Sequence, residues 1–339
     1  MTIREAIAAL VEGQQLSQAE AAAVMEEIMS GIATAAQISA FLTALRLKGE
    51  SDAEIAGMAE VMRQKATPVY FDGPLLDTCG TGGDGAQTFN ISTTAAFIAA
   101  GAGLTVAKHG NRAMSSKCGS ADVLEGLGVK IDIDAAAVAR CLREAGIAFM
   151  FAPNFHPAMR FAGPVRREIG IRTVFNVLGP LTNPARARHQ VLGVPNAALA
   201  EKLARALSRL DTVHALVVCG DGGVDELNLS GPNLLFSVRA GQQPQQFTLD
   251  PHDVGVARAG PTELQGGDIT TNTTITRAIL SGTEHGPRRD VSLLNAAAAL
   301  VAGDRVQTMA EGMQLARSSL DRGAALARLE RLIVSSNAM

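Results

Sequence analysis

Four Ser/Thr-x-x-Glu/Gln pairs near the start of the chain constrain its fold more than any other feature: Thr2 with Glu5, Ser17 with Glu20, Thr34 with Gln37, and Ser51 with Glu54. In such a capping box the hydroxyl accepts from an orphan N–H of the first helical turn, and the acid or amide reaches back to the cap, so each pair should open a helix. Gly13, Gly31 and Gly49 stand where the preceding helices would stop. In the third helix Ile38, Phe41, Leu42 and Leu45 follow the i, i+3, i+4, i+7 rule and form one apolar stripe. A bundle this thin needs another surface over that stripe, either the rest of the chain or a second copy of it.

At Thr67-Pro68 the pattern changes to short apolar runs, glycine-rich turns and helical stretches, as expected for an α/β domain. Strands are expected at 75–79, 104–107, 148–152 and 213–219, a helix at about 92–100, and further helices from Leu293 onward. The 34 glycines and the alanine-rich runs, with only 4% aromatic residues and no Trp, point to closely packed helices. The four cysteines stand far apart and suit neither a zinc cage nor a disulfide framework. No secretory signal or membrane-spanning run is visible, so a cytoplasmic location is expected.

Residues 80–85 match the dinucleotide fingerprint G-x-G-x-x-G, but two features go against that reading. The helix does not begin at the third Gly, and the second strand leads into Lys108-His109 where a dinucleotide fold needs an acid for the ribose. What remains is a loop whose backbone N–H groups can approach an anion, placed before a helix N-terminus. From Gly85 to Ala121 there is no acidic residue, although the net charge is -3. That stretch contains Lys108-His109-Gly110-Asn111-Arg112 and Ser115-Ser116-Lys117-Cys118-Gly119-Ser120, the materials of a phosphate cradle. Asp225-Glu226, beyond a strand and a glycine turn, could hold Mg²⁺, and adjacent side chains on an extended chain point apart. The charge balance argues against nucleic-acid or membrane-surface binding.

The segments Asp77-Thr78-Cys79-Gly80-Thr81-Gly82-Gly83-Asp84, Asn90-Ile91-Ser92-Thr93, Lys108-His109-Gly110-Asn111-Arg112 and Gly119-Ser120-Ala121-Asp122 resemble the anthranilate phosphoribosyltransferase family. So do His156-Pro157, Pro164-Val165-Arg166-Arg167-Glu168, the run from Asn176 to Pro184, Asp225-Glu226 and Leu294-Asn295-Ala296. The pyrimidine nucleoside phosphorylases share that fold and a similar Lys-His segment, but Asn111-Arg112 favours the transferase. A non-catalytic, nucleic-acid-binding paralogue is the other alternative.

The resemblance implies a small all-helical domain, residues 1–70 joined by about 170–190, and a large α/β domain over 71–339 with a central, mostly parallel sheet, as in nucleoside phosphorylases and phosphoribosyltransferases. It also implies a homodimer through the helical domain and transfer of phosphoribosyl from 5-phosphoribosyl 1-diphosphate to anthranilate, in tryptophan biosynthesis. Carried over by position, the substrate-binding residues are Gly80, Gly83, Asp84, Thr88, Asn90, Ile91, Ser92, Thr93, Lys108, His109, Gly110, Asn111, Arg112, Ala113, Met114, Ser115, Ser116, Ser120 and Arg166. Ser92, Asp225 and Glu226 would bind magnesium, as two ions. No general base or covalent nucleophile is assigned, because an aromatic amine is neutral and already nucleophilic at pH 7. The sequence departs from the family's usual pattern at Cys118, where Ser is common, and at Arg160-Phe161-Ala162, which lacks a polar residue near the anthranilate entrance.

Overall fold

The computed structural model describes residues 1–113 and 117–338. Each capping box opens a helix: α1 (Ile3–Val11), α2 (Gln18–Met29), α3 (Ala35–Lys48) and α4 (Asp52–Lys65). The returning bonds run from 2.7 to 2.9 Å, from the cap N–H to Glu5, Glu20, Gln37 and Glu54. Glu54 is fully buried and does more than cap. It also accepts from the Leu16 N–H at 2.9 Å and pairs with Lys48 at 2.8 Å, which ties three helices together. Gly13, Gly31 and Gly49 all have positive φ, the conformation that a chain leaving a helix requires. The stripe of Ile38, Phe41, Leu42 and Leu45 is buried in one apolar cluster, which also takes in Ala162, Val165, Val174, Phe175, Leu178 and Leu181.

After α4 the chain forms a seven-stranded sheet: β1 (Leu76–Gly80), β2 (Val106–Gly110), β3 (Ile147–Phe151), β4 (His189–Gly193), β5 (His214–Cys219), β6 (Asn233–Arg239) and β7 (Gln245–Leu249). Their order is β3-β2-β1-β4-β5-β6-β7. The first five are parallel and the last two antiparallel. The chain winds outward from β1 to β3 and then returns to place β4 on the other side of β1. Strand order therefore reverses between β1 and β4, where an α/β sheet opens a crevice at its carboxyl edge.

Helix α5 (Ile91–Gly101) follows β1 and is almost wholly buried. Its small residues let the helices Pro287–Ala302, Met309–Asp321 and Ala324–Asn337 come close. A Cβ on Gly101 would strike Ser319 and the backbone of Ala325, and the Ser319 hydroxyl donates to the Ile98 carbonyl at 2.8 Å. The alanine-rich composition is thus a condition of this packing.

The second strand starts two residues later than the sequence suggests. Gly103, at φ +101, turns the chain after α5, and pairing with β3 begins only at Val106. Lys108 and His109 consequently lie inside β2 instead of beyond it, and both are buried. Strands β4, β6 and β7 were not anticipated.

Candidate active site

The glycine loop leaves β1 at the point where the strand order reverses. Gly82, Gly83 and Gly85 all have φ between +66 and +81, a region in which a side chain is strained. Two other glycines are required by close approach. A Cβ on Gly80 would collide with the Asp225 carboxylate, and one on Gly193 with the Asp225 carbonyl. Glycine at the carboxyl ends of both central strands therefore lets the Asp225-Glu226 loop lie directly over them.

The two acids diverge, as expected of neighbours on an extended chain. Asp225 accepts from the Gly82 N–H at 2.7 Å, and Glu226 accepts from the Ser92 N–H at 2.8 Å, at the start of α5. Asp84 comes back from the loop and accepts from the Asp225 N–H at 3.3 Å. Burial, and then the facing Asp84 carboxylate, raise the Asp225 acid above the usual carboxylate range. Glu226 is raised well above it by burial and by Asp225. Asn295 holds this loop from below, exchanging bonds of 3.0 and 2.9 Å with the backbone N–H and carbonyl of Leu227.

Lys108 points from β2 toward these acids. Its ammonium donates to the Thr78 carbonyl, to the Thr78 hydroxyl at 3.3 Å and to the Ser92 hydroxyl at 3.4 Å. Burial lowers its pKa, while Asp77, Cys79 and Glu226 favour the charge. Asp77 is fully buried behind it. Its two oxygens accept from the His109 N–H at 3.2 Å and from the Asn183 amide at 2.7 Å, and burial pushes its pKa up to about 6. Asn183 donates further to the Ala107 carbonyl at 2.8 Å, so the segment before β4 is pinned to β1 and β2 together.

His109 faces His156 with 3.2 Å between their Nε2 atoms and 5.0 Å between ring centroids. Burial lowers the pKa of His109 to about 3, with His156 adding to the fall, and that of His156 to about 4. Carbonyl contacts with Gly179 and Thr182 oppose these shifts. Both rings are therefore uncharged at pH 7.

The loop beyond β2 is closed by one carboxylate. Asp122, in helix α6 (Ser120–Gly126), accepts from the Ala113 N–H at 3.0 Å and the Gly119 N–H at 2.8 Å, and pairs with Arg112 at 3.0 Å. Arg112 also pairs with Glu125. The Asn111 carbonyl accepts from the Ser120 hydroxyl at 3.3 Å, and a Cβ on Gly110 would strike that hydroxyl.

The sequence-derived set thus falls into groups. Gly80, Gly83, Asp84, Ser92 and Lys108 gather with Asp225 and Glu226. His109, Gly110, Asn111, Arg112, Ala113 and Ser120 line the neighbouring loop. Asn90 braces the two, donating to the Cys118 carbonyl at 3.2 Å and accepting from Asn272 at 2.9 Å. Thr88 bridges to Gln265, which anchors the tail of the glycine loop. Ile91 and Thr93 are buried, and the Ile91 N–H is already bonded to the Phe89 carbonyl at 2.7 Å. Arg166 stands apart on the helix Met159–Ile169, its guanidinium 5.1 Å from the Phe175 ring centroid, half-buried and without an acidic partner among the described residues. Met114, Ser115 and Ser116 lie outside the described residues.

Sequence reasoning assigned no role to Asp77, Arg172, Asn183, Asn272 or Asn295, which support the site through long-range bonds. Three of them, Asp77, Asn183 and Asn295, stand in segments already singled out, where a polar residue among apolar neighbours was the available signal.

The donor set fits magnesium. Asp84, Asp225 and Glu226 supply hard oxygens, and their crowding is eased by the Gly82 N–H at Asp225 and by the Ser92 N–H and Lys108 at Glu226. Among the described residues no three His, Cys, Asp or Glu side chains form a metal cage. Mg²⁺ suits an open site of that kind, because it keeps several waters and takes other ligands from phosphates.

Comparison with known proteins agrees with this architecture. Residues 72–326 match the model of the glycosyl transferase family a/b domain, and residues 4–66 that of its helical bundle domain. The chain is 76% identical to the anthranilate phosphoribosyltransferase of Chloroflexus aurantiacus and 69% to that of Roseiflexus castenholzii, over 99% of each chain. The crystal structure of the Thermus thermophilus enzyme superposes with a TM-score of 0.92 at 44% identity, covering 98% of this chain and 99% of that one. The Saccharomyces cerevisiae enzyme in complex with PRPP and Mg gives 0.90 at 30% identity, covering 99% and 98%. Matched over both domains and nearly its whole length, this chain belongs to the anthranilate phosphoribosyltransferase family.

Proposed function

We propose that the crevice between β1 and β4 transfers the 5-phosphoribosyl group of 5-phosphoribosyl 1-diphosphate to the amine of anthranilate, releasing N-(5-phosphoribosyl)anthranilate and pyrophosphate, in tryptophan biosynthesis. The observation that carries this reading is the convergence of the glycine loop, Lys108 and the Asp225-Glu226 pair at the reversal of strand order. Breaking the glycosidic C–O bond builds positive charge on the ribose and negative charge on the departing diphosphate. Magnesium held by Asp225, Glu226 and Ser92, proposed as two ions, supplies positive charge to the diphosphate. Lys108, the loop N–H groups and the start of α5 add fixed positive ends around it.

The acceptor needs orientation more than activation. Its amine is neutral, so the uncharged His109 and His156 serve as pocket walls and are assigned no proton transfer. Arg166 offers a desolvated guanidinium, without an acidic partner among the described residues, to the anthranilate carboxylate. Arg112 shapes the loop through Asp122 and Glu125.

The helical unit, residues 1–70 with about 170–190, moves against the remainder of 71–339 and pairs with a second copy. The exposed Val11, Ile32 and Leu47, 70%, 70% and 83% accessible, support that pairing. No described helix is long and apolar enough to cross a membrane. A cytoplasmic homodimer that binds no nucleic acid is the corresponding proposal. The test is to incubate the protein with Mg²⁺, anthranilate and phosphoribosyl diphosphate and follow loss of anthranilate fluorescence. Fluorescence that persists while a pyrimidine nucleoside and phosphate are consumed would replace this reading with the phosphorylase.

A further inference from the structure

Arg172 lies between the helix Met159–Ile169 and the short helix Phe175–Leu178, in the segment that carries Arg166. Gly170, at φ +70, ends the first helix, and the Thr173 N–H donates to the Asn176 side chain at 2.9 Å, so both sides of Arg172 are fixed. From there the side chain reaches across to the glycine loop. One guanidinium nitrogen donates to two successive carbonyls, Thr81 at 3.3 Å and Gly82 at 3.0 Å. The other fills the place where a Cβ of Gly83 would be. Arg172 has no acidic partner within ion-pair distance among the described residues.

Peptide planarity gives this contact a consequence. In a trans peptide the carbonyl and the following N–H point in opposite directions, and no cis peptide occurs among the described residues. Carbonyls of Thr81 and Gly82 turned toward Arg172 leave the N–H groups of Gly82 and Gly83 turned away from it. The first of these reaches the Asp225 carboxylate at 2.7 Å, so the N–H side of the loop is the acidic, diphosphate side of the crevice. Between two glycines at φ +66 and +81, little within the loop resists a flip of the intervening peptide.

We propose that Arg172 is a positioning residue of the donor site: by holding the Thr81 and Gly82 carbonyls it selects the loop orientation that presents successive N–H groups to the diphosphate. The inference rests on the transferase reading above. It also links the segment bearing the acceptor's arginine to the loop that binds the donor, so that the two substrate sites share one support.

The test compares wild type, Arg172→Ala and Arg172→Lys in the full-length protein, with KM for each substrate, kcat, the Kd for phosphoribosyl diphosphate with Mg²⁺ by calorimetry, and the melting temperature. Arg172→Ala is expected to raise both KM and Kd for phosphoribosyl diphosphate about tenfold, as for loss of a charged hydrogen-bond donor. Its kcat stays within about threefold and its melting temperature is unchanged. Arg172→Lys, whose shorter side chain must reach the same two carbonyls with one ammonium, recovers part of the loss. Wild-type KM and Kd in Arg172→Ala would overturn the proposal, and so would a fall in kcat with both constants unchanged. If Arg172→Ala fails to fold, Arg172→Met, which keeps most of the length and removes the donors, decides: donor constants equal to wild type overturn the proposal. A wild-type protein that does not consume anthranilate refutes the transferase reading itself, a result separate from any of these.

Discussion

Acidification should withdraw the stability contributed by two buried rings. In the unfolded chain His109 and His156 titrate near 6.5, whereas in the fold they resist protonation down to about 3 and about 4. A base whose folded pKa is lowered contributes stability at neutral pH that is lost as pH falls below 6.5, because the unfolded chain then takes up protons the fold refuses. At pH 5 each ring favours unfolding by about 2 kcal/mol relative to pH 7, or about 4 kcal/mol for the pair. Asp77 works in the other direction. Its carboxyl titrates at about 6 in the fold against 3.8 unfolded, so between pH 7 and 5 the fold gains a proton and about 1 kcal/mol. His214, also lowered by burial, adds a loss in the direction of the two rings. Asp225, raised to about 7, and Glu226, raised well above the carboxylate range, act with Asp77 and offset that loss, so the histidine contribution is read as the difference between wild type and a histidine variant. The measurement is the urea midpoint at pH 7 and pH 5, followed by far-ultraviolet circular dichroism, since the chain has no Trp and one Tyr. His156→Gln removes one titration while keeping a polar group beside His109, and should recover about 2 kcal/mol of the loss. If the midpoints of wild type and His156→Gln respond to pH in parallel, the histidine pair makes no such contribution.

Other perturbations probe the site's supports. Asn183→Ala strips the buried Asp77 of its 2.7 Å donor and should destabilise the protein by about 2 to 3 kcal/mol, read from urea unfolding at pH 7; an unchanged midpoint would refute the role given to that pair. Gly193→Ala drives a methyl into the Asp225 carbonyl, so the Mg²⁺ concentration for half-maximal turnover should rise by roughly tenfold or more while circular dichroism stays the same. Asp225→Asn combined with Glu226→Gln should remove turnover at low Mg²⁺ and leave the fold intact, and equal rates at all Mg²⁺ concentrations would dismiss the metal role. Chelation of Mg²⁺ should stop the wild-type reaction, and added Mg²⁺ should restore it.

What the sequence disclosed follows from the range of the interactions. Capping boxes are local, three residues from hydroxyl to acid, and all four appear where the residues require them. The glycine loop was visible by its spacing, and the Lys-His pair because it sits in a run of glycine, serine and cations without carboxylates. Strand β4 was hidden by its make-up: His189 and Gln190 occupy two of its five positions, so it lacks the apolar run of a central strand. Those polar residues are there because each has a buried partner, His189 the Ala302 carbonyl at 2.8 Å and Gln190 the Pro180 carbonyl at 2.6 Å. The braces of the site were illegible for the same reason. Asp77 meets Asn183 across 106 residues, and Asn90 meets Asn272 across 182.

The reversal of strand order also decides how the molecule can be divided. Between β3 and β4 the chain passes through residues 162–181, which join the apolar cluster that α1 to α4 form with β4, β5, β6 and the helix Ala197–Ser208. A fragment ending at Thr67 would leave α2, α3 and α4 without the cover of that segment. A segment that runs from the edge strand β3 to the crevice strand β4 also covers α2, α3 and α4, so the wall bearing Arg166 and Arg172 is tethered at both ends. A cleft wall held in that way can swing, but it cannot drift off or be exchanged as a separate module.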